Sequence, residues 1–196
     1  MMYDFKPRGV CSRTMQVELD ENRNVVSLEV EGGCSGNNNT AYNAILSNWF
    51  DFDYYNFGFS GRAKGELAMA DYINTIDMGA FIYDYDHNAP TVEHLQNTHE
   101  RMFRTIRKAQ PNLPILILPR PRYTLQEEEK QRFAVIEQTY RNALAAGDKN
   151  VYLIDGPTLM ALCGDEGTIE GCHPNDFGFA SMAKAIGDKL EEIFRK

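Results

Sequence analysis

The sequence predicts an α/β protein in which a parallel sheet is sandwiched between helical layers. Three observations carry this. From Thr40 onward, strand-like and helix-like stretches alternate, the order that builds parallel strands joined by helical crossovers. The run "LPILILP" (113–119) is continuously apolar between prolines, as expected of a strand buried on both faces. Two long helical stretches, 91–110 and 124–147, separate the later strands, the second ending at Gly147, a residue suited to a helix C-terminus.

The N-terminal part differs. "TMQVELDENRNVVSLEV" contains two alternating runs around the polar turn Asp20 to Asn24. Met15, Val17 and Leu19 alternate with Gln16 and Glu18; Val26, Leu28 and Val30 alternate with Ser27 and Glu29. Period two on both sides of a short turn predicts an antiparallel hairpin with one wet face. "EGGCSGNNN" then reads as a loop. In order after it come a helix in "TAYNAILSNWF", a short strand in "DYYNFGF" and a helix in "KGELAMADYINTI". A strand in "GAFIYDYD" precedes the helix at 91–110, which Thr91 caps and which keeps Glu93 and Glu100 on its wet side. The strand "LPILILP", the helix at 124–147, the strand "NVYLIDG" and a closing helix in "NDFGFASMAKAIGDKLEEIF" complete the chain.

Composition bounds the function. A chain of 196 residues with 43% hydrophobic and 11% aromatic residues suits one domain, or one domain with a small addition. A net charge of −8 argues against nucleic acid and anionic membrane surfaces as partners. "MMYDFKPRGV" holds no apolar run, and no later stretch is long enough to span a bilayer. Cys11, Cys34, Cys163 and Cys172 show no paired spacing, so the expectation is a reduced, cytoplasmic protein.

In parallel sheets, functional groups collect beyond the carboxyl ends of the strands. That rim takes in Gly58–Gly61, Asp84–Asn88, Pro119–Tyr123 and Asp155–Gly156, and the loop carrying Glu170 and His173 can reach it. Acyl transfer needs a base, a carboxylate to orient it, and donors for the developing oxyanion. His173 with Glu170 supplies the first two. The Gly61 N–H and the Asn88 amide supply the donors.

These pieces carry a resemblance. "NFGFSGRAKGE", "FIYDYDHNAPT" and "GTIEGCHPNDFGF" resemble segments of the SGNH (GDSL-type) hydrolases, esterases and lipases with a flavodoxin-like α/β/α fold. The resemblance spans residues 40–196. It implies Gly61 and Asn88 as oxyanion donors and His173 as catalytic base, with Glu170 where the family has aspartate. The added methylene displaces the carboxylate by roughly 1.5 Å, and a misplacement of that size can cost on the order of 100-fold in rate. The implied chemistry needs no cofactor.

Residues 1–39 resemble another family, the front half of a TSCPD domain, through "GVCS", the hairpin and "EGGCSGN". The chain therefore reads as a mosaic joined near Gly32–Thr40, with the hairpin replacing or preceding the usual first strand. The hydrolase family ends that strand in a serine motif. Counting back from Gly32, Gly33 and Cys34 puts Leu28 at the serine position, with Ser27 beside it. Ser35, in a Gly/Asn-rich loop between a strand and a helix, has the right topological place for an exposed nucleophile. Ser60 adjoins Gly61.

Asp84, Asp86 and His87 have the chemistry of metal ligands, but strand alternation sends neighbours to opposite faces, so no metal site is assigned. His94 and His99 read as solvated helix residues, Glu127–Lys130 as a wet helix turn, and Arg120 and Arg122 as rim charges or substrate contacts. Cys11 and Cys34 are too few for a closed zinc site. Three functions stay open. One is a serine esterase acting on a small-molecule ester, acyl or carbohydrate-linked. Another is a non-catalytic protein of the same fold that keeps a pocket, and the third is a TSCPD-like binding segment through Cys11 and Cys34. An unfinished sheet edge would favour homo-oligomers.

Overall fold

In the computed structural model the residues described are 2–5, 12–19 and 25–32, by their backbone, and 42–58 and 61–195, with side chains. Ser35, Ser60, Cys11, Cys34 and the predicted turn 20–24 lie outside the described residues.

The first three strands, β1 (Met2–Phe5), β2 (Ser12–Leu19) and β3 (Val25–Gly32), form an antiparallel sheet in the order β1-β2-β3. Met15 pairs with Val30 and Val17 with Leu28. A separate parallel sheet holds β4 (Phe81–Tyr83), β5 (Ile115–Ile117) and β6 (Val151–Leu153) in that spatial order.

The run 113–119 shows why the sheet is double-faced. Ile115 and Ile117 join one core cluster with Tyr83, Leu95, Phe103, Ile106 and Ile136. Leu116 and Leu118 join the other with Leu46, Leu159, Ile186 and Leu190. Alternate residues of one strand thus feed two cores. The first core packs under α2 (Leu67–Ile73), α3 (Val92–Ala109) and α4 (Glu127–Ala145). The second packs under α1 (Tyr42–Phe50), α5 (Gly156–Leu159) and α6 (Asp176–Phe194). Helices on both faces of a parallel sheet are the α/β architecture expected.

The helix boundaries follow their caps. Thr91 accepts from the His94 N–H at 3.0 Å and Asn175 from the Gly178 N–H at 3.0 Å. Three expectations fail. The stretch "DYYNFGF" was expected to be a strand, but 52–58 form none. There the Asn56 side chain accepts from the Gly58 N–H at 2.8 Å, a local turn that competes with a ladder. Glu129 and His99 are buried rather than wet, at 9% and 1% exposure. His99 lies on the same face of α3 as Leu95, Met102, Phe103 and Ile106. It shares a 2.8 Å hydrogen bond with Thr139 and stacks on Tyr83. No helix among the described residues is long and apolar enough to cross a membrane.

Candidate active site

The rim at the carboxyl ends of β4, β5 and β6 is organised by one buried arginine. Arg132, fully buried on α4, donates from Nε to Asp86 Oδ1 at 2.6 Å. Its Nη2 donates to the carbonyls of Asp86 at 2.6 Å and Ala89 at 2.7 Å. The second Asp86 oxygen accepts from the Arg120 N–H at 2.9 Å. The charge of each buried ion is thereby matched and its hydrogen-bonding capacity filled, which is what makes such a pair tolerable in the interior. This network fixes the single 3-10 turn Asp86–Asn88 that follows β4.

His87 and Asn88 ride on that turn. The Asn88 N–H closes it on Tyr85 O at 2.9 Å. His87 stacks on His173, with ring centroids 6.3 Å apart and planes 10° from parallel. Its Nε2 is buried with no hydrogen-bond partner. Desolvation, reinforced by the nearby Arg120 cation, holds the His87 pKa down to about 4, so it is neutral at pH 7. Nearby, Tyr42 at the start of α1 donates to Asp84 Oδ2 at 3.2 Å. Burial pushes the Asp84 carboxyl up to about 7.

His173 comes from a small hairpin. Strand β7 (Thr168–Ile169) pairs with β8 (His173–Pro174), with Ile169 opposite His173. The turn between them holds Glu170 at φ +52° and Gly171 at φ +62°. Glycine adopts this conformation freely, whereas glutamate is seldom found there. The Cys172 N–H closes the turn on Ile169 O at 3.0 Å, and Asn175 then starts α6.

The structure brings His173 to the turn bearing His87 and Asn88. Glu170 is exposed at the tip of its hairpin, and no hydrogen bond or ion pair joins it to another described residue. Gly61 is exposed at φ +79°, with no atom of another described residue within 4 Å of where a Cβ would sit. Of the serines with described side chains, Ser47 donates to Phe52 O at 2.6 Å and Ser181 to Leu159 O at 2.8 Å. Among the described residues no three His, Cys, Asp or Glu side chains converge as a metal site. Sequence reasoning missed Arg132 and the Tyr42–Asp84 pair. Arg132 was detectable, because it shares the 3,4 spacing of Glu129, Ile136, Thr139 and Ala143 on the buried face of α4.

The fold is an α/β sandwich whose polar rim carries a histidine turn ahead of the last helix. Residues 26–191 match the GDSL-like lipase/acylhydrolase family, and the chain belongs to it. The match begins within β3. No curated protein matches the chain. Among solved structures it is similar to a GDSL-like lipase from Bacteroides ovatus, at 25% identity and TM-score 0.70. That likeness covers 87% of this chain but only 58% of the other. It also resembles a salicylyl-acyltransferase from a tetracycline biosynthetic pathway, at 13% identity and TM-score 0.65 over 96% of this chain and 75% of that one. A third is a family two carbohydrate esterase from Clostridium thermocellum, at 14% identity and TM-score 0.58, covering 81% and 60%. The last two show the fold alone.

Proposed function

We propose that the protein is an acylhydrolase that cleaves small or carbohydrate-linked esters with a serine nucleophile. His173 is the base, Glu170 its orienting carboxylate, and the Gly61 N–H with the Asn88 amide receive the oxyanion. Ser35 is the nucleophile this reading assigns. Its Oγ attacks the ester carbonyl while His173 takes the proton. The tetrahedral intermediate collapses, and the leaving alkoxide receives that proton. Water then attacks the acyl-serine by the same route in reverse, releasing acid and free serine. The observation that supports this reading is the stacking of His173 on His87, which sets the histidine turn against the turn carrying Asn88.

A second reading, a non-catalytic protein of the same fold, is favoured by one observation. Glu170 makes no bond to His173 among the described residues. In this reading residues 1–39 are a TSCPD-like segment that takes the place of the family's nucleophile strand.

A fluorophosphonate probe with adduct mapping by mass spectrometry separates the two. The expected result is labelling of Ser35 that disappears in His173→Ala, with hydrolysis of short-chain aryl esters. Absence of both adduct and hydrolysis leaves the non-catalytic reading. Glu170→Asp shortens the side chain to the length the family uses and suits the left-handed turn better. It is expected to raise kcat by about tenfold or more, read from initial rates on the same esters.

A further inference from the structure

We propose that Arg122 is a positioning residue for the histidine turn: the end of its guanidinium is the stop against which Gly171 rests, and it thereby sets the direction of His173. The catalytic consequence rests on the reading above; the positioning itself does not.

Three contacts fix Arg122. Its backbone is seated on Gly156 at the start of α5, where a Cβ would come within 2.8 Å of the carbonyl oxygens of both Arg120 and Arg122. Its Nη2 lies 3.5 Å from Glu129 Oε1. Glu129 is held in turn, because its Oε2 accepts from the Gln126 N–H at 3.2 Å in the capping box of α4. The Nη1 end of the guanidinium then meets Gly171: a Cβ there would lie 2.9 Å from Nη1 and 3.8 Å from Cζ and Nη2. A side chain at 171 would have to push that end aside. The arginine suits the task, being permanently charged and preorganised by its acidic partner.

A second tie holds the same two loops together. Thr124 donates from its backbone N–H to Asp165 Oδ1 at 3.1 Å and from Oγ1 to Oδ2 at 2.6 Å. Loop 119–125 therefore grips the histidine loop at both ends, through Asp165 before β7 and through Gly171 between β7 and β8. With its side chain 22% exposed, its Nη2 turned to Glu129 and its Nη1 against Gly171, Arg122 offers little to a substrate.

The test uses the full chain labelled with 15N and follows its four histidines by long-range 1H–15N correlation in the wild type, Arg122→Gln and Arg122→Lys. The wild type is expected to show one sharp set of signals for His173. Arg122→Gln should split or broaden that set while His94 and His99 stay unmoved. Arg122→Lys, which keeps charge but has one nitrogen and so cannot face Glu129 and Gly171 with two, should resemble Arg122→Gln. His173 signals that superimpose on the wild type would overturn the proposal, as would equal disturbance of His99, which marks general loosening. If the wild type hydrolyses esters, Arg122→Gln should lower kcat by about tenfold with KM changed less than about twofold. A raised KM at constant kcat would make Arg122 a substrate contact and end the positioning role. A wild type that hydrolyses nothing defeats the catalytic reading alone, since the His173 spectra still decide the role of Arg122.

Discussion

The two ends of the parallel sheet are each held by an arginine, and they are finished differently. At the amino ends of β5 and β6, Arg107 pairs with Asp148 at 2.7 Å and donates to the carbonyls of Gln110, Leu113 and Asn150. At the carboxyl ends, Arg132 does the same for Asp86 and Ala89. Among the described residues, three buried side-chain atoms lack hydrogen bonds, and two of them, His87 Nε2 and Arg120 Nε, lie at the carboxyl end. The two ends differ in burial: the side chains of Arg132 and Asp86 are 0% and 2% exposed, those of Arg107 and Asp148 15% and 10%.

Arg132→Ala gives the largest expected effect. Asp86 would be left buried and ionised without its closest partner, which costs about 3–5 kcal/mol. Arg107→Ala removes a side chain that is 15% exposed, and about 1–3 kcal/mol is expected, because water can reach the vacated carbonyls. Urea unfolding of both variants checks the order. An equal loss would mean that the two ends do not differ as their burial implies.

The pH dependence separates the ends next. His99 in the first core is held at about 3 and His87 on the rim at about 4, against an ordinary 6.5, chiefly by desolvation. Unfolding lets both take up protons below 6.5, so the unfolded chain binds more protons there. Stability is therefore complete above 6.5 and is lost as pH falls toward 4 and 3. Asp84 acts with opposite sign. Burial raises it to about 7, so its contribution is present below 3.8 and is lost as pH rises through 7. The two histidines outweigh the one carboxyl, and the melting temperature should climb between pH 4 and 6.5. His99→Asn should flatten that rise, and Asp84→Asn should steepen it. An unchanged slope in His99→Asn would place the acid sensitivity on the rim.

What the sequence revealed follows from which forces are local. Caps and apolar runs act within a few residues, so Thr91 and the strand at 113–119 were readable. Arg132 and His99 were missed or misjudged because their burial depends on partners 46 and 40 residues away, Asp86 and Thr139; the capping box of Glu129 is local and went unread, and its other oxygen faces Arg122. Polarity predicts exposure only until a partner removes the desolvation penalty. The strand expected at 53–59 failed for the opposite reason, a local Asn56 turn overriding the apolar pattern.

The smallest effect comes from a matched pair of glycines, and it isolates the rim contact. Gly147 at φ +87° has no atom of another described residue within 4 Å of where a Cβ would sit, whereas Gly171 at φ +62° has Arg122 Nη1 at 2.9 Å. Either glycine replaced by alanine is strained in the left-handed region, at about 1 kcal/mol. The added contact at Gly171 falls on the Nη1 end of Arg122, which can give way at the cost of its 3.5 Å ion pair with Glu129, so it should add little to the stability loss measured by urea. It should instead push the guanidinium aside. Gly171→Ala is thus expected to match Gly147→Ala in stability, yet to disturb the His173 signals as Arg122→Gln does, with no further change when the two rim substitutions are combined. Additive disturbance in the double variant would mean that glycine and arginine act on the histidine by separate routes.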